Sequence, residues 1–365
     1  MPVTSQPSPP APSLAARPIR PYPPSWVDRL INRVDKLPGP AWVAYLGSLL
    51  AAILLSHVVR WIDGSLPAGS LDIARVAEAP FLIFFPAAQQ YLNATARSAL
   101  EGFKPALQIS DDEYGVLQYR LTTIPSRSGA LAGAIGAALG IMSLLSSPVG
   151  YGVTSETSLA TNALTGFFAM LTMAFLAVFT FHTLRQLQLV ASVHRMAKHI
   201  DLFQLAPVYS FSTLTSRTGI SIILLLSAGY VLFSFAIAPG STAGFSPVDV
   251  VVMVFMFLVS LACFALPLNS MHHRLDHEKL RVLSEVNRRL EVAFDTVHEK
   301  LDNRELQDID QMEKALAILI TERRVLGEVS TWPWKPETLR GFLTTLALPV
   351  ILYVVSRLVG RLLGV

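Results

Sequence analysis

Apolar residues fall in long blocks along this chain, at 41–59, 77–96, 129–147, 162–184, 219–238, 248–268 and 341–361. Each is close to the ~20 residues a helix needs to cross a bilayer's hydrocarbon. Every buried backbone group must be satisfied inside such a segment, so blocks of this length predict α-helices. The pattern predicts an all-α polytopic membrane bundle with about seven spans. Block 77–96 is the most polar, with Pro80, Pro86, Gln89, Gln90 and Asn93. It either crosses while facing protein or a wet cavity, or it is a re-entrant or surface segment. The last block carries Pro349 at mid-length, which predicts a kink or hinge. It either crosses fully or dips into the inner leaflet.

Between the sixth and seventh blocks the period changes. Leu283, Val286, Leu290, Ala293 and Val297 form one seam, and Ile309, Met312, Leu316 and Leu319 a second. Spacings of three and four mark coiled-coil-like helices. The polar turn between them offers Asp302 as a cap, with Glu305 as its box partner. Residues 269–330 therefore predict an antiparallel helical hairpin. It packs on itself in water, or it contacts another subunit or a docked protein. Thr331-Trp332-Pro333-Trp334-Lys335-Pro336 opens an elbow at 331–340 leading into the last span.

The N-terminal side is built differently. Residues 1–24 are rich in Pro, Ser and Ala and predict a disordered tail. Ser25 and Asp28 can cap a short helix over 25–37 with Trp26, Val27, Leu30, Ile31 and Val34 on one face and Arg29, Arg33 and Lys36 near the other. That is the pattern of an interfacial helix. Residues 97–127 read as a polar loop containing a helix opened by Ser110, Asp111 and Asp112. Gly129, Gly133, Gly136 and Gly140 mark helix packing in the third span, which the small residues place at the centre of the bundle.

Composition supports a membrane protein. Of 365 residues, 52% are hydrophobic and 15% charged, against about 25% charged in ordinary soluble domains. The single cysteine, Cys263, excludes a disulfide framework. If all seven blocks cross from an inner N-terminus, 25 basic residues lie inside and four, Arg60, Arg75, Arg357 and Arg361, outside. The hairpin is then cytosolic and the C-terminus external. If block 77–96 does not cross, only the N-terminus changes side.

Catalytic motifs are missing: no phosphate loop, nucleophile elbow or zinc helix. No acidic residue or lysine sits at the middle of a span, so the expectation is a non-enzyme without a cofactor. His273 and His277, one turn apart beside His272, are weak metal candidates, with solvated helix surface as the alternative. Thr344, Thr345, Pro349, Tyr353, Arg357 and Arg361 are candidates for a pore lining or a lipid-headgroup contact. Trp26, Trp332 and Trp334 are candidate interfacial anchors. Basic residues of the hairpin alternate with acidic ones and lack aromatic platforms, which argues against nucleic acid.

The tail Thr331-Trp332-Pro333-Trp334 with Thr338-Leu339-Arg340-Gly341-Phe342, following a charged hairpin, resembles a group of uncharacterised prokaryotic multi-span membrane proteins. That resemblance covers the last third of the chain and implies no activity. In layout alone the chain is similar to the insect odorant-receptor class of seven-span ion channels. These readings lead to an oligomeric channel or transporter, associated through the hairpin or the last span. The alternative is a membrane sensor or scaffold whose hairpin docks a cytosolic protein.

Overall fold

A computed structural model describes residues 20–146, 148, 151, 153, 157–197, 201–232, 247–303 and 309–363. Side chains at 230–232, 247–253, 255–256, 353, 356–357 and 359–363 are not described. Among the described residues the fold is all-helical: α1 (Trp26–Val34), α2 (Ala41–Ile62), α3 (Ile73–Leu107), α4 (Asp111–Thr122), α5 (Ser126–Ser146), α6 (Leu159–Met196), α7 (Ser210–Leu232), α8 (Pro247–Asp302), α9 (Ile309–Glu328), α10 (Pro336–Leu346) and α11 (Leu348–Leu363). Pro24 and Pro125 make an isolated antiparallel bridge.

Four of these helices are long and apolar enough to cross a membrane: Ala41–Ile62, Ser126–Ser146, Leu159–Met196 and Ser210–Gly229. Their faces show what surrounds them. Leu46, Leu50 and Leu54 on α2, and Leu131, Ile135, Leu139, Met142 and Leu145 on α5, are exposed. An apolar belt of that extent is a liability in water and ordinary against lipid. The other three blocks fall in α3, in the first part of α8, and across the break between α10 and α11.

At the centre lies α7, the most buried of the four apolar helices, packed on α3, α8 and α10. The expectation that the third span, α5, is central is corrected here. It packs on α6 and α1 at the edge of the bundle. The small residues of α5 serve close contact there rather than central position. Hydroxyls on α7 are satisfied internally: Thr218, Ser221 and Ser227 donate to the carbonyls of Leu214, Arg217 and Ile223.

Three sequence boundaries shift. The tail does not extend to residue 24, because Tyr22 donates to the Thr123 carbonyl and accepts from Arg185; residues 1–19 lie outside the described residues. The first part of the expected 97–127 loop is helix, since α3 runs unbroken to Leu107 despite Pro80, Pro86 and Pro105. Ser110 caps α4 with Glu113 in a capping box. In the last block the break falls at Ala347, and Pro349 occupies the first turn of α11, where its missing N–H costs nothing. Asp302, expected to cap the second arm, is instead the last residue of α8, and Glu305, its expected box partner, lies outside the described residues.

The C-terminal half of α8 and α9 run antiparallel: Arg323 Nε donates to Asn287 Oδ1 at 2.9 Å, while nearer the hairpin's base Lys279 Nζ meets the carbonyls of Gly327 and Val329. Val286, Leu290 and Leu326 are buried between the arms.

Candidate functional site

Two regions gather chemistry: the joint at the base of the hairpin, and a cavity at the opposite end of the bundle. The joint is a ladder of rings. His272 stacks on Trp332 at 4.0 Å with planes 2° apart, Trp332 on Trp334 at 4.4 Å, and Phe264 on Phe342 at 4.4 Å. Trp334 and Phe264 are 5.4 Å apart and join the two pairs. The prolines of the elbow fix the backbone that delivers both tryptophans. His272 is also tied through Nδ1 to the Thr331 carbonyl at 3.0 Å. Two residues along α8, Arg274 forks onto the carbonyls at the end of α6, donating to His194, Arg195 and the capping residue Ala197. A cation at a helix C-terminus satisfies orphan carbonyls and opposes the helix dipole. Phe342 in turn sits where a side chain on Gly219 of α7 would be, 2.6 Å from a hypothetical Cβ.

The sequence candidates distribute as follows. Trp332 and Trp334 are half-buried in this ladder, facing protein. Trp26 also faces inward, 5.1 Å from Phe175, and donates to the Gly129 carbonyl. Helix α1 buries Val27, Asp28 and Ile31 against the bundle. Gly129 and Gly133 admit Ser25 and Trp26, whereas Gly136 and Gly140 admit the backbone of α6 at Met173 and Met170. His273 and His277 are exposed, and among the described residues no group of three metal-binding side chains is gathered. Thr344 and Thr345 donate to their own helix at Arg340 and Gly341. The side chains of Tyr353, Arg357 and Arg361 lie outside the described residues.

Asp28 plays a part its capping position did not reveal. Its buried carboxylate accepts from the Ile124 N–H at 2.8 Å, from Ser25 Oγ at 2.8 Å and from Gln89 Nε2 at 3.0 Å. Burial pushes the carboxyl above its usual range, and these donors pull it back. Nearby, His182 and Gln186 of α6 both reach Asn93 of α3. The polar residues of block 77–96 therefore face protein.

The cavity lies between α2, α3 and α6 and has a volume of about 250 Å³. Arg60, Arg75, Glu78, Tyr151 and Thr161 line one end, and Ala52, Leu82, Phe168 and Met173 line the length. Arg60 Nη1 donates to Asp72 at 2.8 Å and Arg75 Nη1 to Glu78 at 2.6 Å. The backbone N–H of Asp72 donates to His57 Nε2, so His57 carries its proton on Nδ1, toward the Ile53 carbonyl. Asp63 accepts from Ser158 and Thr161 at the start of α6, and these bonds hold its carboxyl well below the usual carboxylate range. Arg60 is only 8% exposed, and among the described residues Arg60 Nη2 and Arg75 Nε have no hydrogen-bond partner. Sequence reading placed both arginines merely on the outer side. The available signal was an Arg in the last turn of an apolar span with Arg75 and Glu78 three apart in the next.

No family model matches the chain, and comparison with curated proteins and with solved structures returns no match.

Proposed function

We propose that this chain is a non-enzymatic integral membrane protein that crosses the bilayer seven times and acts as a sensor or scaffold, its cytosolic α8–α9 hairpin presenting a docking surface rigidly coupled to the membrane bundle. The observation that carries this is the joint: α8 is one helix from Pro247 to Asp302, and Arg274 and the His272–Trp332–Trp334 stack lock it to α6 and to the segment before α10. A bend at the membrane surface would uncouple the hairpin, and this joint opposes one.

The geometry of α3 supports a fifth crossing beside the four apolar helices. Arg75 shares the cavity with Thr161 at the start of α6, while Asn93 meets His182 deep along it. Eighteen residues of helix span roughly 27 Å, close to the hydrocarbon thickness of about 30 Å. If α6 crosses, so does α3. The basic-residue balance then puts the N-terminus and the hairpin inside. Cysteine labelling at Asn303 in intact cells, in a Cys263→Ser background, tests this: protection from a membrane-impermeant reagent is expected, and labelling from the external medium refutes the orientation. Rigidity is tested by spin-label distances between Asn303 and Glu101, with a single narrow distribution expected.

An oligomeric channel or transporter is the second reading. Leu343, Val350, Ile351, Val354 and Leu358 of α10 and α11 form an exposed apolar face in the single chain. A second copy would cover it and bring Thr344 near the axis. Ionic currents from purified protein in planar bilayers would favour this reading.

A further inference from the structure

We infer that the cavity between α2, α3 and α6 is a binding site for an amphiphile with a carboxylate or phosphate head. The inference does not depend on the hairpin or on the direction in which the chain is inserted. It begins with what the polar end lacks. Arg60 and Arg75 are each paired to a carboxylate, so the local charges are balanced. What remains without a hydrogen bond there is donors only, Arg60 Nη2 and Arg75 Nε, the latter 4.0 Å from Asp72 Oδ2, among the described residues. A guanidinium has donors and no acceptor, and leaving such N–H groups dry is costly. An occupant must therefore present acceptor oxygens, and charge-assisted bonds from guanidinium N–H groups are strongest to carboxylate or phosphate oxygens, with Asp72 and Glu78 disfavouring more than a single charge on the head.

The rest of the cavity asks for something else. From Arg60 back to Ala52 the wall descends eight residues of α2, roughly 12 Å, past Leu82, Phe168 and Met173. Water can hydrate the guanidinium end, but the mostly apolar stretch beyond, where Ser56, Thr165 and Thr172 add only scattered hydroxyls, offers it few partners. A small free anion satisfies only the head, and an alkane only the tail. At about 250 Å³ the space suits a single short chain rather than a whole phospholipid.

The test uses the full chain purified in an uncharged maltoside detergent, read by native mass spectrometry and by thermal unfolding. The probes are dodecanoate, dodecyl phosphate, dodecanol, acetate and inorganic phosphate. One dodecanoate or dodecyl phosphate per chain is expected to bind and raise the unfolding midpoint, with the other three at least tenfold weaker. Ala169→Leu, which fills the wall, should weaken both binders at least tenfold. Arg75→Gln should make dodecanoate no better than dodecanol. Inorganic phosphate binding as well as dodecyl phosphate would overturn the proposal in favour of a small-anion site. Dodecanol binding as well as dodecanoate to the unaltered chain would overturn the role of the arginines. Unchanged binding in Ala169→Leu would place the ligand elsewhere. Arg60 holds Asp72, whose side chain caps α3, whereas Arg75 pairs with Glu78 within α3, so the test relies on Arg75→Gln and on Ala169→Leu in the cavity lining.

Discussion

Replacing Gly136 by alanine tests the closest helix contact in the bundle. A Cβ at this position would sit 2.3 Å from the Met173 carbonyl oxygen, 2.7 Å from Ala177 Cβ and 2.8 Å from Ala174 Cα. Carbon contacts are optimal near 3.5–4.0 Å, so α5 and α6 must separate by about 1 Å. None of the three neighbours is the free end of a flexible side chain, so rotamer changes cannot absorb the methyl. Overpacking of this kind costs about 1–3 kcal/mol. Alanine returns up to ~1 kcal/mol in helix propensity, which leaves Gly136→Ala destabilised by about 0–2 kcal/mol, and about 1–3 kcal/mol worse than the same change in open space. Gly47 on α2 is the control: its Cβ would meet nothing within 4 Å. There the propensity gain stands alone, so Gly47→Ala should be neutral or slightly stabilising. Gly136→Ala combined with Gly140→Ala should cost less than the sum, because both part the same helices. The assay is dodecyl-sulfate unfolding in mixed micelles followed by circular dichroism. A Gly136→Ala midpoint equal to that of Gly47→Ala would refute the close contact.

Four further outcomes follow from the polar contacts. Arg274→Gln loses a guanidinium that donates to three carbonyls; a loss of about 1.5–3 kcal/mol and faster exchange of the last α6 amides are expected, and Arg274→Lys should recover only part. Asp28→Asn turns an amide N–H toward donors, so the Ile124 amide should lose protection in hydrogen exchange while the Gly219 region stays unchanged. Asp63 has a depressed carboxyl, so the stability it contributes is present in full above its ordinary value of 3.8 and is lost as pH falls toward the folded value. Acid should therefore loosen the α2–α3 turn from α6, and Asp63→Asn should remove that pH dependence, read by hydrogen exchange of the amides of residues 63–70. Trp332→Ala removes two stacked contacts worth about 0.5–1.5 kcal/mol each, and should broaden the Asn303–Glu101 spin-label distribution.

The sequence made the helices and the hairpin legible where periodicity or length was strong. Blocks 41–59, 129–147 and 162–184 correspond to α2, α5 and α6, and the two seams to the arms of α8 and α9. Boundaries failed where tertiary contact overrode composition. Residues 20–24 look like tail, yet Tyr22 is held by Thr123, Tyr119 and Arg185, each about 100 or more residues away. Residues 97–107 look like loop, yet Ala99, Leu100 and Phe103 are buried in a continued α3. The cavity was harder still. Its charged end draws on Arg60, Arg75 and Glu78 from two helices, and Thr161 from a third. No spacing along the chain announces that meeting; only the packing of α2 and α3 on α6 does.

The low hydropathy of α3 has one physical cause. A helix that faces lipid must be apolar all round, because nothing outside it can satisfy a polar group. A helix ringed by other helices is free of that demand. Among the four apolar helices the trend is already visible: α7 is at once the least apolar and the most buried. Helix α3 extends it. Gln89 and Asn93 are almost wholly buried and bonded to Asp28 and His182, and Thr95 accepts from Arg217 of α7. Gln89, Asn93 and Thr95 of α3 thus each have a partner on another helix. Its polarity fits the interior crossing proposed above, and lipid-facing polar residues in block 77–96 would have told against it. Substituting Asn93 by leucine should accordingly destabilise the bundle while raising the apolarity of its span. For a surface segment the same change would leave stability unaffected, and the detergent-unfolding midpoint decides between the two.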